Sequence, residues 1–116
     1  MIRKKDECTV EYREHMRDGD GTVEIANFVN SPDELNGKGR LFARMTLVPG
    51  AGIGYHAHEN DSEIFYILEG TAEYNDNGTV TEVKAGDVTI CPAGTGHGIT
   101  NKGTETVNLV AVILYR

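Results

Sequence analysis

Two stretches of this 116-residue chain concentrate the side chains that bind transition metals. The first runs Gly50-Ala-Gly-Ile-Gly-Tyr-His56-Ala-His58-Glu-Asn-Asp-Ser-Glu63-Ile-Phe-Tyr-Ile-Leu-Glu-Gly70. The second runs Gly86-Asp-Val-Thr-Ile-Cys-Pro92-Ala-Gly94-Thr-Gly-His97-Gly-Ile-Thr-Asn101. Three of the chain's four histidines lie here, with Glu63 close by. Imidazole and carboxylate are neutral or anionic donors at pH 7, and three of one with one of the other suit a single divalent ion. Mn, Fe, Ni, Co, Cu and Zn all accept such ligands, so the donor types do not choose among them. The fourth histidine, His15, sits in the polar run Glu11-Tyr-Arg-Glu-His15-Met-Arg17 and reads as a surface residue.

The elements that must position these groups read as strands. His56 and His58 are two apart, so on an extended chain both imidazoles face the same way, and Tyr55 faces the other. Glu63 follows the polar break Glu59-Asn60-Asp61-Ser62, where a hairpin can fold it back beside the pair. His97 must arrive from a distant strand, delivered by the turn at Pro92-Ala-Gly94. An isolated His-x-His pair also suits ordinary surface or core histidines, so the pair alone does not decide the matter. Strands are expected at 22–29, 40–48, 53–58, 63–69, 71–75, 79–83, 87–91, 97–101 and 106–115, with one short helical turn begun by Ser31-Pro32-Asp33-Glu34. Asn77-Gly78 is a strong hairpin signal. Asp18-Gly-Asp20-Gly21 starts like a calcium loop but lacks the later ligands and reads as a turn. Fourteen glycines among short apolar runs suit an all-β chain with many tight turns, a barrel or two-sheet jelly roll.

The two stretches resemble the paired signature motifs of the cupin superfamily. Motif one, over 50–70, is Gly, five residues, His-x-His, four residues, Glu, six residues, Gly; it is met at Gly50, His56, His58, Glu63 and Gly70. Motif two, over 86–101, is Gly, five residues, Pro-x-Gly, two residues, His, three residues, Asn; it is met at Gly86, Pro92, Gly94, His97 and Asn101. The resemblance implies a double-stranded β-helix of jelly-roll type that binds a metal through His56, His58, Glu63 and His97. It also implies a homodimer joined through the sheets. Cupins include dioxygenases, decarboxylases of small diacids, isomerases and epimerases, so no single reaction is implied.

Length and charge bound the rest. The chain is long enough for one core, so 1–116 is expected to be a single cupin domain. A net charge of −7 argues against a nucleic-acid partner. Arg3-Lys4-Lys5 reads as a solvated terminus. No apolar run is long enough for a membrane span, and the first residues lack a signal-peptide core, so a cytoplasmic protein is expected. Cys8 and Cys91 are too few for a disulfide framework, and Cys91 reads as a small buried hydrophobe that neighbours the turn before His97.

Two further residues are candidates for a ligand pocket. Arg44 lies mid-strand among apolar residues and could clamp a carboxylate, or equally guard a strand edge. Asn101 shares strand parity with His97, though Asn also serves turns. The run 107–115 is apolar on both faces, which a strand tolerates only when both are covered. With little helix to cover it, a second subunit is favoured; burying about 300 Å² of apolar surface would contribute roughly 7 kcal/mol before association costs. Three His and one Glu leave positions open on an octahedral ion, which favours a metal-dependent enzyme acting on a small carboxylate- or hydroxyl-bearing molecule. The alternative is a sensor or storage module that binds such a molecule without turnover.

Overall fold

The computed structural model describes all 116 residues, Met1–Arg116. Ten strands form two antiparallel sheets. One contains β1 (Thr9–Glu14), β2 (Thr22–Asn27), β3 (Gly39–Leu47), β5 (Asp61–Glu69), β8 (Val88–Cys91) and β10 (Val107–Tyr115), in the order β1-β2-β3-β10-β5-β8. The other contains β4 (Gly52–His58), β6 (Thr71–Asp76), β7 (Thr79–Lys84) and β9 (Thr95–Thr100), in the order β4-β9-β6-β7. Helix is confined to 3-10 turns at Lys5–Glu7, Met16–Asp18 and Pro32–Leu35. The expected all-β jelly roll is what the chain forms. No helix is long and apolar enough to cross a membrane.

Alternation along each strand builds the core. Ala43, Met45 and Leu47 of β3, Val107, Leu109 and Ala111 of β10, and Phe65 and Ile67 of β5 point inward from the larger sheet. Ile53, Ala72, Tyr74 and Ile99 meet them from the smaller one. Fully burying one such aliphatic or aromatic side chain is worth about 1.5–3 kcal/mol, so this shared interior holds the two sheets together. The hairpin at Asn77-Gly78 forms as its residues dictate, both with positive φ (49° and 101°), matching the twist of β6 and β7.

Three expectations need correction, the first being that three short 3-10 turns form where one helical turn is expected. β1 lies outside the expected strands: Thr9–Glu14 is an edge strand with almost no buried face, and its two apolar residues, Val10 and Tyr12, are exposed. The basic terminus is not simply solvated: Arg3 donates to the Phe28 carbonyl at 2.7 Å and pairs with Glu34 at 2.8 Å.

Strand register departs from regularity at two places that bear on the site. Ile53 pairs with Ile99 and His56 with His97, so β4 spends three residues where β9 spends two. This bulge reverses the parity of β4, letting Ile53 enter the core while His56 and His58 also face inward. In β3, Leu41 pairs with Ile113 and Gly39 with Leu114, which leaves Arg40 as the extra residue of a second bulge.

Candidate metal centre

Strands β4, β5 and β9 bring His56, His58, Glu63 and His97 to one point. His58, Glu63 and His97 are buried and His56 is nearly so. The Nε2 atoms of His56 and His58 are 3.1 Å apart, and those of His58 and His97 are 3.2 Å apart. Glu63 Oε1 lies 3.1 Å from His58 Nε2, 2.9 Å from His97 Nε2 and 3.9 Å from His56 Nε2. Ligands about 2.1 Å from an octahedral ion sit about 3.0 Å apart along its edges; the four separations of 2.9–3.2 Å match that spacing, while His56 Nε2 stands farther from Glu63 Oε1, at 3.9 Å.

Each imidazole is oriented through its other nitrogen. His56 Nδ1–H donates to the Gly54 carbonyl at 2.7 Å, inside the β4 bulge. His58 Nδ1–H donates to Asp61 Oδ1 at 2.6 Å. His97 Nδ1 lies 2.8 Å from the Tyr74 hydroxyl, and its ring stacks on Phe65 with centroids 5.0 Å apart. With the three Nδ1 atoms engaged, three Nε2 lone pairs and a carboxylate oxygen converge, and a cation satisfies such a set as no single proton could. The residues present therefore fit one divalent transition metal.

The electrostatics follow from burial and these contacts. Burial alone would raise the Glu63 carboxyl, but the three imidazoles gathered around it outweigh that effect and hold the group well below the usual carboxylate range. His58 is raised by its bond to Glu63 against the opposing effect of burial, with Asp61 adding to the rise. Burial lowers His97 despite Glu63. Burial also pushes the Tyr74 phenol up to about 12, so it stays protonated. Asp61 lies below its ordinary value: burial opposes the shift, and the bonds from His58 and Arg40 prevail.

A cavity of about 70 Å³ opens beside His56, His58 and Glu63, space for a few waters or a ligand of a handful of heavy atoms. Its walls include Ile25 and Met45, while Arg13, Arg17 and Arg40 line it as well. Half of the chain's six arginines thus gather here, a local positive field in an acidic protein. A larger open groove along Thr71, Glu73, Glu82 and Lys102 holds no converging set of donors.

Arg44 and Asn101 are not brought to this cavity. Arg44 alternates with the inward Ala43 and Met45, so it lies half-buried on the outer face of β3, beside Ala26 and Val110. Asn101 keeps the inward parity of His97, but four residues of extended chain carry it about 13 Å along the barrel. There its amide donates to the Leu47 and Glu105 carbonyls and its oxygen accepts from Gly103 N–H, pinning the loop after β9. Tyr55 faces outward as expected, and His15 is exposed. Cys91 is buried, paired in register with Glu63, with Sγ 3.4 Å from Thr95 Oγ1; both cysteines are free. Sequence reasoning missed Asp61, Tyr74 and Arg40. Asp61 carried a usable signal, since it shares strand parity with Glu63; the other two are recognisable only once the strands are paired.

A core fold of this topology with such a donor cluster defines a class, and the comparison with known families agrees. Residues 43–113 match the cupin domain family, and the chain belongs to that family. It is 42% identical to an oxalate-binding protein of Thermotoga maritima, over 98% of this chain and 93% of that one. A crystal structure from Thermotoga maritima, described as a predicted oxalate decarboxylase, superposes with a TM-score of 0.94 at 41% identity, covering all of both chains. Quercetin 2,3-dioxygenase of Escherichia coli is 44% identical over 67 residues, which are 54% of this chain but only 29% of that enzyme.

Proposed function

We propose that this cupin, a single domain over 1–116, binds a small chelating carboxylate, with oxalate the leading candidate, at a divalent transition metal held by His56, His58, Glu63 and His97. The observation that carries the reading is the convergence of three Nε2 atoms and Glu63 Oε1 beside a small cavity rich in arginine. The name of the Thermotoga maritima relative supports the choice of oxalate. On an octahedral ion, four protein donors would leave two positions open, as many as a bidentate carboxylate needs. When bound, the ion supplies Lewis acidity toward the carboxylate oxygens. The chain's own residues do the rest: Glu63 keeps the site anionic, the Nδ1 hydrogen bonds fix the imidazoles, and the apolar walls limit ligand size.

Turnover is the second reading, favoured by the open positions and by the decarboxylase description of the superposing structure. Calorimetry with protein loaded in turn with Mn, Fe, Co, Ni, Cu or Zn is expected to show saturable oxalate binding, absent from metal-stripped protein. Equal binding to the stripped form would refute the reading. Carbon dioxide, formate and oxygen uptake, followed in the same samples, separate the two: binding with no product leaves a sensor or storage protein.

The proposal extends to a homodimer. On the outer face of the larger sheet, Phe42, Val112, Ile64 and Ile90 form one row and Val110, Tyr66 and Val88 a second. Phe42, Tyr66, Val88 and Ile90 are exposed, with Phe28 packed edge-on against Phe42 alone. Contiguous apolar surface of this kind marks an interface, and a second copy presents the same face for symmetric pairing.

A further inference from the structure

We propose that Arg40 is the anchor for the ligand's carboxylate oxygens, and that Asp61 acts as a positioning residue holding both Arg40 and the ring of His58. The ligand class rests on the proposed function above; the placement of the side chains does not.

Regular alternation would turn Arg40 outward with Phe42 and Arg44. The bulge opposite Leu114 releases it from that pattern, and bulges re-aim side chains in this way. Arg40, its side chain still partly exposed, reaches the cavity lined by His56, His58 and Glu63 and also borders a surface groove with Thr9 and Asn27. Its Nε donates to Asp61 Oδ2 at 3.0 Å, while Asp61 Oδ1 accepts from His58 Nδ1–H at 2.6 Å. One carboxylate therefore ties a cavity arginine to a candidate metal ligand. The tie uses only Nε, and Nη1 and Nη2 form no hydrogen bond within the protein.

The other cavity arginines are less suited. Arg13 is paired with Glu11 at the surface, and Arg17 has no partner to hold its guanidinium in place. A guanidinium already fixed through Nε loses little freedom when its two terminal groups engage a ligand. A dicarboxylate that chelates an ion with one oxygen from each carboxylate keeps two oxygens facing away from it. Two Nη groups in a planar fork match that pair, as a lysine ammonium does not. The ligand class is thereby narrowed to a small dicarboxylate, in preference to a monocarboxylate such as glycolate.

The contrast among the three histidines points the same way. His56 donates to a neutral carbonyl and His97 meets a phenol, whereas His58 alone donates to a carboxylate. A carboxylate acceptor makes the imidazole a stronger donor to metal, so Asp61 acts on the ion through His58 while it orients Arg40.

The test is calorimetry of oxalate and glycolate with Co(II)-loaded wild type, Arg40→Gln, Arg40→Lys and Asp61→Asn, with the outward Arg44→Gln as control. Arg40→Gln is expected to weaken oxalate by about tenfold or more while metal affinity changes less than about threefold. Arg40→Lys should not restore binding, Arg44→Gln should match wild type, and wild type should prefer oxalate to glycolate. Asp61→Asn, before any ligand is added, should lower Co(II) affinity by about 10–100-fold and shift the visible absorption of the bound ion. Oxalate binding to Arg40→Gln within twofold of wild type overturns the anchor, as does loss of metal by that variant. Unchanged Co(II) affinity and spectrum in Asp61→Asn overturn the positioning role. A wild type that holds Co(II) but binds neither acid overturns the proposed function, and the anchor with it.

Discussion

His58, Glu63 and His97 are buried together, and what each contributes depends on its partners more than on its type. The His58→Ala, His97→Ala double variant removes two of four converging donors, so it should retain no stoichiometric metal by elemental analysis after dialysis, with a strand spectrum in circular dichroism showing that the barrel persists. A full equivalent of metal in that variant would place the site elsewhere. Acid should act in the same place. Protons compete with the ion for imidazole lone pairs, so metal is expected to leave as pH falls. In the metal-free protein, burial holds His97 below its ordinary 6.5, so below that pH the unfolded chain takes up the proton more readily and stability drops. Glu63 deepens the loss below its ordinary 4.5, because its folded value lies lower still. His58 runs the other way: bonded to Glu63, it is raised above 6.5, and its contribution is complete below that value and lost as pH rises through its folded value. Urea midpoints of metal-free protein should therefore be highest between about pH 6 and 7 and fall steadily toward pH 4. A flat profile over that range would contradict these assignments.

Among the elements, β4 carries the most consequence for its length. Its bulge presents Ile53 to the core and two imidazoles to the site, and the Gly54 carbonyl inside the bulge holds the His56 ring. Gly54 also lies against the Met16–Asp18 turn, where a methyl group would run into the Arg17 carbonyl and the Gly19 backbone. That turn is itself tense, with His15, Arg17 and Asp18 all at positive φ. Gly54→Ala should thus destabilise by about 1–3 kcal/mol or more in urea and weaken metal binding by displacing His56. Ala57→Ser, outward on the same strand, should stay within about 0.5 kcal/mol. Equal midpoints for the two variants would show that the close approach carries no strain.

For the whole molecule, the proposed homodimer rests on the outer face of the larger sheet. A stable interface buries about 800 Å² per partner, and the two rows spanning β3, β10, β5 and β8 would supply its apolar centre. Light scattering should return a dimer mass at micromolar concentration, and Ile64→Glu with Val112→Glu should return a monomer; a monomeric wild type would leave the patch without this role. The sequence by itself was enough to pick out the candidate donor set and to determine the all-β class, because both rest on short-range spacing: His56 and His58 two apart, Glu63 and His97 at the motif distances, turns at Asn77-Gly78 and Pro92-Ala-Gly94. Which cation serves the cavity was not legible. Arg40 and Arg44 have the same strand parity and similar neighbours, and only a register mismatch between β3 and β10 turns one of them toward Asp61. Asn101 failed for a related reason, since parity tells which way a side chain points but not how far along the barrel it lies. The edge strand β1 escaped notice because it buries almost nothing. A side chain's type and local period belong to one strand, but register, depth and bulge position belong to pairs of strands, and only the tertiary structure decides those.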